Sequence, residues 1–151
     1  QGKQIIKRKL ADSIQIYFSL IDQKPLKELL PLAKKNNVGI IVAEPLAQGL
    51  LTNKYKVGHA FPSNDLRSKG YSKQLLEKKL KRVKQFNFLI NKNRTLNQAA
   101  LAYVLSKEEV STCIPGAKST EQLISNITSL KIELNQSEIK KIREIQEEWR
   151  D

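Results

Sequence analysis

Cysteine is nearly absent. Cys113 is the only one in 151 residues, so no internal disulfide can form. It stands in an apolar run, where a small core residue is the expected role rather than a nucleophile. Histidine is equally scarce. His59 is the only one, in the polar loop KVGHAFPSND, and with no partner in sight it is expected to be solvated. No segment approaches the length and apolarity of a membrane span, and the start QGKQIIKRKL is too charged for a signal peptide. A soluble cytoplasmic protein without membrane contact is therefore expected. The net charge is +12 and the pI is 9.8. There is no arginine-rich arm and no interleaving of basic and aromatic residues. The lysines instead alternate with apolar residues at helical spacing, as in LLEKKLKRVKQF. That pattern is a solvated helix face, and nucleic acid is not the expected partner. No linker or low-complexity tract divides the chain, so residues 1–151 are read as a single region.

Forty per cent of the residues are apolar, enough for a core and too many for a disordered chain. Three short runs rich in β-branched residues read as strands: IQIYFSL (14–20), VGIIVA (38–43) and VSTCI (110–114). All are apolar on both faces, as in a parallel sheet covered on both sides. Helical patterns follow each. The first begins at Pro25, with Leu26, Leu29, Leu30 and Ala33 on one face and Pro31 marking a kink or a late start. A long polar loop over 44–71 precedes a helix over 72–92. Thr95-x-x-Gln98, Ser119-x-x-Gln122 and Asn135-x-x-Glu138 are capping-box patterns that open three more. Leu96, Ala99, Ala100, Tyr103 and Val104 form the buried face of one of these. Ile139, Ile142, Ile145 and Trp149 are available for burial on the last. Repeated strand–helix units make an α/β layer or part of a (β/α) barrel.

In such folds the functional loops lie at the carboxyl ends of the strands. Two of these have unusual chemistry. In EPLAQGLLTNKY (44–55), Gly49 allows close backbone approach, and the amides of Leu46, Ala47, Gln48 and Gly49 can line an anion. In CIPGAKSTEQLISN (113–126), Gly116 permits a sharp turn, Ser119 starts a helix and Lys118 adds a charge beside its positive end. Gln122 and Asn126 share a helix face with Lys118. Charge for a phosphate and amides for a base suit a phosphorylated nucleoside. A capped helix with a solvated lysine accounts for the same residues.

The stretch from IQIYFSL through EPLAQGLLTNKY and FPSNDLRS to LNQAALAYVLSKEEVSTCIPGAKSTEQLISNI resembles the aldo-keto reductase family. It covers nearly the whole chain from about residue 12. The resemblance implies a partial (β/α)8 TIM barrel: the sixth, seventh and eighth strands with their helices, the C-terminal half of the family fold. It implies NADPH/NADP+ as cofactor and hydride transfer to aldehydes or ketones without metal. By resemblance, Gln15 corresponds to the glutamine that holds the nicotinamide carboxamide. Leu46, Gln48 and Gly49 correspond to the loop around the pyrophosphate, and Lys54 and Arg67 to cations that reach the adenosine phosphate. Lys118, with Gly116 in the same corner, corresponds to the 2′-phosphate position, and Gln122 and Asn126 to contacts with adenosine. Three positions depart from the family pattern. Ala43 replaces an aromatic ring or arginine, Glu44 a small hydroxyl residue and Ser125 a glutamate.

The family's Asp, Tyr, Lys and His catalytic set lies in the N-terminal half, and no residue here matches it. The chain is therefore expected to bind the dinucleotide but to be inactive alone, with a carbonyl substrate only when the other half is supplied. Three strands leave two open edges and an uncovered face. This points to a missing partner half or to self-association. The alternative is a non-catalytic nucleotide-binding or protein-interaction module.

Overall fold

All three expected strands are shorter than their apolar runs. In the computed structural model, which describes residues 1–149, β1 is Ser13–Tyr17, β2 is Gly39–Ala43 and β3 is Thr112–Ile114. They form one parallel sheet in the order β1-β2-β3. The rows Gln15–Ile41–Thr112 and Tyr17–Ala43–Ile114 run across it.

The helices all lie on one side. α1 (Gly2–Lys7) and α2 (Leu29–Lys35) flank β1, and α3 (Leu66–Gly70) and α4 (Lys73–Lys84) follow β2. α5 (Leu96–Leu105), α6 (Thr120–Thr128) and α7 (Gln136–Glu147) complete the layer. This overturns the expectation that the strands are buried on both faces. Only β2 is largely buried, while Tyr17 is 63% exposed and Ile114 52%. The second face mixes Tyr17, Ile41 and Ile114 with Gln15 and Thr112, and among the described residues no element covers it. Phe18, Leu20 and Ile21 are buried all the same. They lie past the strand, in a bend closed by paired Ser19–Asp22 backbone bonds.

α5 is the centre of the core. Leu96 and every residue from Ala99 to Val104 are buried, so it is apolar all round rather than amphipathic. Pro31 is the third residue of α2, where its missing N–H costs no helical bond. This is the late start rather than the kink. The boxes at Thr95–Gln98 and Asn135–Glu138 both close. The one at Ser119 closes only by half. Ser119 Oγ accepts from the Gln122 N–H at 3.3 Å, but Gln122 Oε1 accepts from Lys118 N–H instead. The loop over 44–71 is not featureless. It contains a 3-10 turn, Ala47–Thr52, as well as α3.

α7 is held by one buried ion pair. Arg94, only 7% exposed, pairs through both guanidinium nitrogens with Glu138. The Arg94 guanidinium holds the Glu138 carboxyl below its ordinary value of 4.5. Asp65 is held down to about 2, from 3.8, chiefly by its side-chain bond to Arg67. Lowered folded values mean that both groups stabilise the fold above their ordinary values and lose that contribution as pH falls through the folded ones. The unfolding midpoint is expected to be flat between pH ~7 and ~5 and to fall steeply between ~4.5 and ~2. Glu138→Gln should flatten the upper part of that fall. Thermal melts across this range check it, and an unchanged acid limb in Glu138→Gln would remove the argument.

Candidate cofactor groove

Ala43 of β2 pairs with Ile114 of β3, so the chain leaves both strands side by side. The segment after β2 and the segment after β3 therefore face each other across a groove of about 510 Å³, within the range of small-molecule sites. Eight of the ten expected residues line it: Leu46, Gln48, Gly49, Lys54, Arg67, Gly116, Lys118 and Gln122. Asn126 lines an adjoining recess of about 240 Å³ with Asn97, Glu121 and Ser125. Gln15 stands apart from both, exposed on the open face of the sheet.

The β2 side is built on unusual backbone. Glu44, Ala47, Gln48 and Asn53 all have φ between 49 and 60°, and Gly49 has φ 89°. Each non-glycine residue there costs about 1–3 kcal/mol and must be held by its surroundings. Leu50 and Leu51 are fully buried and pin the turn to the core. Two of the four amides expected to line an anion are turned inward. Ala47 N–H donates to Glu44 O, and Gly49 N–H to Leu46 O. Gln48 Nε2 donates to Glu44 Oε1 at 2.9 Å, which ties down the one carboxylate in the groove lining.

A Cβ on Gly49 would meet Arg67 Nη1 and Tyr55 Cε2 at 3.7 Å, an ordinary contact. Its need for glycine is conformational rather than steric. Gly49→Val is therefore expected to destabilise the fold by about 1–3 kcal/mol and to weaken whatever anion approaches that turn. Denaturant unfolding measures the first. A loss under about 0.5 kcal/mol would show that the backbone relaxes freely.

The β3 side differs from expectation at Gly116. It makes no left-handed turn, and a Cβ there would meet nothing within 4 Å. Residues 115–117 carry no regular secondary structure. The bare Cα leaves an open wall, and Gly116 O accepts from Asn126 Nδ2 at 3.5 Å. Asn126, 8% exposed, thus supports the wall. Lys118 is exposed, and among the described residues its ammonium has no ion-pair partner. The start of α6 already carries an anion. The Ser119 hydroxyl and its own backbone N–H hold the Glu121 carboxyl below the usual range. Ser125 Oγ accepts from Asn97 Nδ2 at 3.1 Å, joining α6 to α5.

Two residues that the sequence reading passed over shape the groove. Asp65 and Tyr55 both bond Arg67. The Asp-x-Arg spacing at the start of α3 was the available signal for the first. His59 is half-buried rather than fully solvated. Its ring packs 4.7 Å from Tyr55 and 4.9 Å from Phe61, and its Nε2 is buried without a partner among the described residues. The loop's aromatic residues pack on one another, and Tyr55, Phe61 and Tyr71 also pack against the main core.

The lining thus sets Lys54, Arg67 and Lys118 against one carboxylate, over backbone bent for close approach. This donor set fits a phosphorylated dinucleotide. A sequence profile described as the Aldo/keto reductase family matches residues 6–147. The chain is 33% identical over 130 residues to "Aldo-keto reductase yakc [NADP(+)]" of Schizosaccharomyces pombe, covering 84% of this chain and 38% of that protein. It is 28% identical over 137 residues to the NADH-specific methylglyoxal reductase of Escherichia coli, covering 90% and 42%. The fold matches the glycerol dehydrogenase AKR11B4 from Gluconobacter oxydans at TM-score 0.77 and 28% identity, over 93% of this chain and 44% of that one. It matches the holo form of aldo-keto reductase AKR11C1 from Bacillus halodurans at 0.71 and 26%, over 95% and 44%. The chain spans less than half the length of these relatives, and its sheet and helices correspond to part of their (β/α)8 barrel. It belongs to the aldo/keto reductase family.

Proposed function

We propose that this chain is the NADPH-holding part of an aldo-keto reductase, contributing the C-terminal barrel strands. The observation that supports this most is the convergence of Lys54, Lys118 and the bent segment 46–49 on one groove at the carboxyl ends of β2 and β3. When bound, the coenzyme supplies the hydride. The chain's own residues bind and orient it. Lys118 and Lys54 neutralise phosphate charge, Gly116 and Gly49 let backbone approach closely, and Gln122, whose Oε1 is held by the Lys118 N–H, turns its amide N–H₂ to the base. Relatives differ in the coenzyme their names print, NADP(+) in one and NADH in another, so the choice rests here on Lys118. Protonating the carbonyl oxygen is assigned to groups outside these 151 residues.

Titrating NADPH against the protein and following its fluorescence tests the reading. Saturable enhancement, with no turnover of a simple aldehyde, is expected. Absence of binding overturns the coenzyme assignment, and turnover overturns the assignment of proton transfer elsewhere. A second reading, a module that docks another protein, is favoured by Tyr17, Ile114, Leu123, Ile127 and Leu130, all more than half exposed. Light scattering after size exclusion separates the two: a dimer that binds no NADPH supports the second.

A further inference from the structure

The Arg67 side chain carries five N–H donors, and four are already used. Nε donates to Asp65 Oδ1 at 2.9 Å and Nη2 to Asp65 Oδ2 at 2.6 Å. Nη1 donates to Tyr55 Oη at 2.9 Å and to Gln48 O at 3.1 Å. The guanidinium also lies over two rings, 4.2 Å from the centre of Phe61 and 5.2 Å from that of Tyr55. Its charge is offset by Asp65, and one N–H is left. A group so committed is poorly placed to neutralise a phosphate. The carbonyl it does hold belongs to Gln48, the middle of three successive residues at positive φ. The bend is also braced by Gln48 Nε2 on Glu44 Oε1, Gly49 N–H on Leu46 O and Thr52 Oγ1 on Gly49 O.

We propose that Arg67 is a positioning residue: fixed by Asp65 and Tyr55, it holds the Gln48–Gly49 bend in the shape that receives the coenzyme and does not itself serve as a phosphate ligand. This rests on the coenzyme reading above. It leaves Lys54 and Lys118 as the groove's phosphate cations.

Asp65→Asn decides between the two roles because they predict opposite signs. Asparagine still caps α3 but no longer neutralises the arginine. If Arg67 were a phosphate ligand, its release would tighten NADPH. If it positions the bend, both NADPH and NADH weaken, by about fivefold for a lost hydrogen-bond tie, and their ratio stays the same. Tyr55→Phe and Arg67→Gln should behave alike. Hydrogen exchange in the ligand-free protein gives an independent readout. The Gly49 and Leu51 amides, both bonded to Leu46 O, should exchange faster in Asp65→Asn. Tighter NADPH binding, or unchanged exchange at these two amides, overturns the proposal. Faster exchange in a protein that binds no NADPH upholds the positioning role and overturns the coenzyme reading alone.

Discussion

Arg94→Ala is expected to destabilise the protein by about 3–5 kcal/mol, the range for removing one partner of a buried pair. The arginine side chain is 7% exposed and Glu138 17%. Arg94 Nε donates to Leu89 O at 2.7 Å, Nη1 to Glu138 Oε2 at 3.2 Å, and Nη2 to Glu138 Oε1. One side chain thus joins the 3-10 turn before α5 to the first turn of α7. Alanine would leave a carboxylate and a carbonyl short of donors in a dry place. Glu138 would keep its second task, accepting from the Asn135 N–H at 3.0 Å, so α7 should remain helical while its docking loosens. Denaturant unfolding gives the loss. A double change, Arg94→Met with Glu138→Leu, should recover part of it, because an apolar pair incurs no desolvation cost, while the Leu89 carbonyl and the Asn135 N–H stay without their partners. A single-mutant loss below about 1 kcal/mol would place the pair among surface ion pairs.

Lys118→Ala should weaken NADPH by about 1–3 kcal/mol, roughly 5- to 150-fold, and leave NADH nearly unchanged. Its backbone N–H is already held by Gln122 Oε1 at 2.9 Å, so the corner should keep its shape without the side chain. The ammonium is exposed in the groove. Among the described residues no carboxylate pairs with it, although Asp65 lies near enough to feel its charge. Only a ligand with a phosphate at that end would gain from it. Paired fluorescence titrations with the two coenzymes measure the ratio. Equal losses would argue against a 2′-phosphate role.

The features legible in the sequence were mostly local. Thr95 with Gln98 and Asn135 with Glu138 declare their helix starts because both partners of each box lie within one turn. The groove's place followed from the rule that α/β sites gather at the carboxyl ends of strands. What was not legible depends on partners brought together by the fold. Arg67 reads as an available cation until Tyr55 and Gln48, 12 and 19 residues away, take up its donors. Gln122 reads as the second half of a box at Ser119, yet its Oε1 accepts from the Lys118 N–H instead. Arg94 sits in a polar stretch, NKNRT, and nothing there announces that Glu138, 44 residues on, will meet it.

β3 is three residues long and pairs with one neighbour only. The arm that bears Lys118 therefore hangs from the sheet by very few rungs. Such a short edge opens more readily than the strand beside it. Any molecule seated between the two strand ends would act as a staple across the seam, raising the melting temperature in proportion to the logarithm of its concentration.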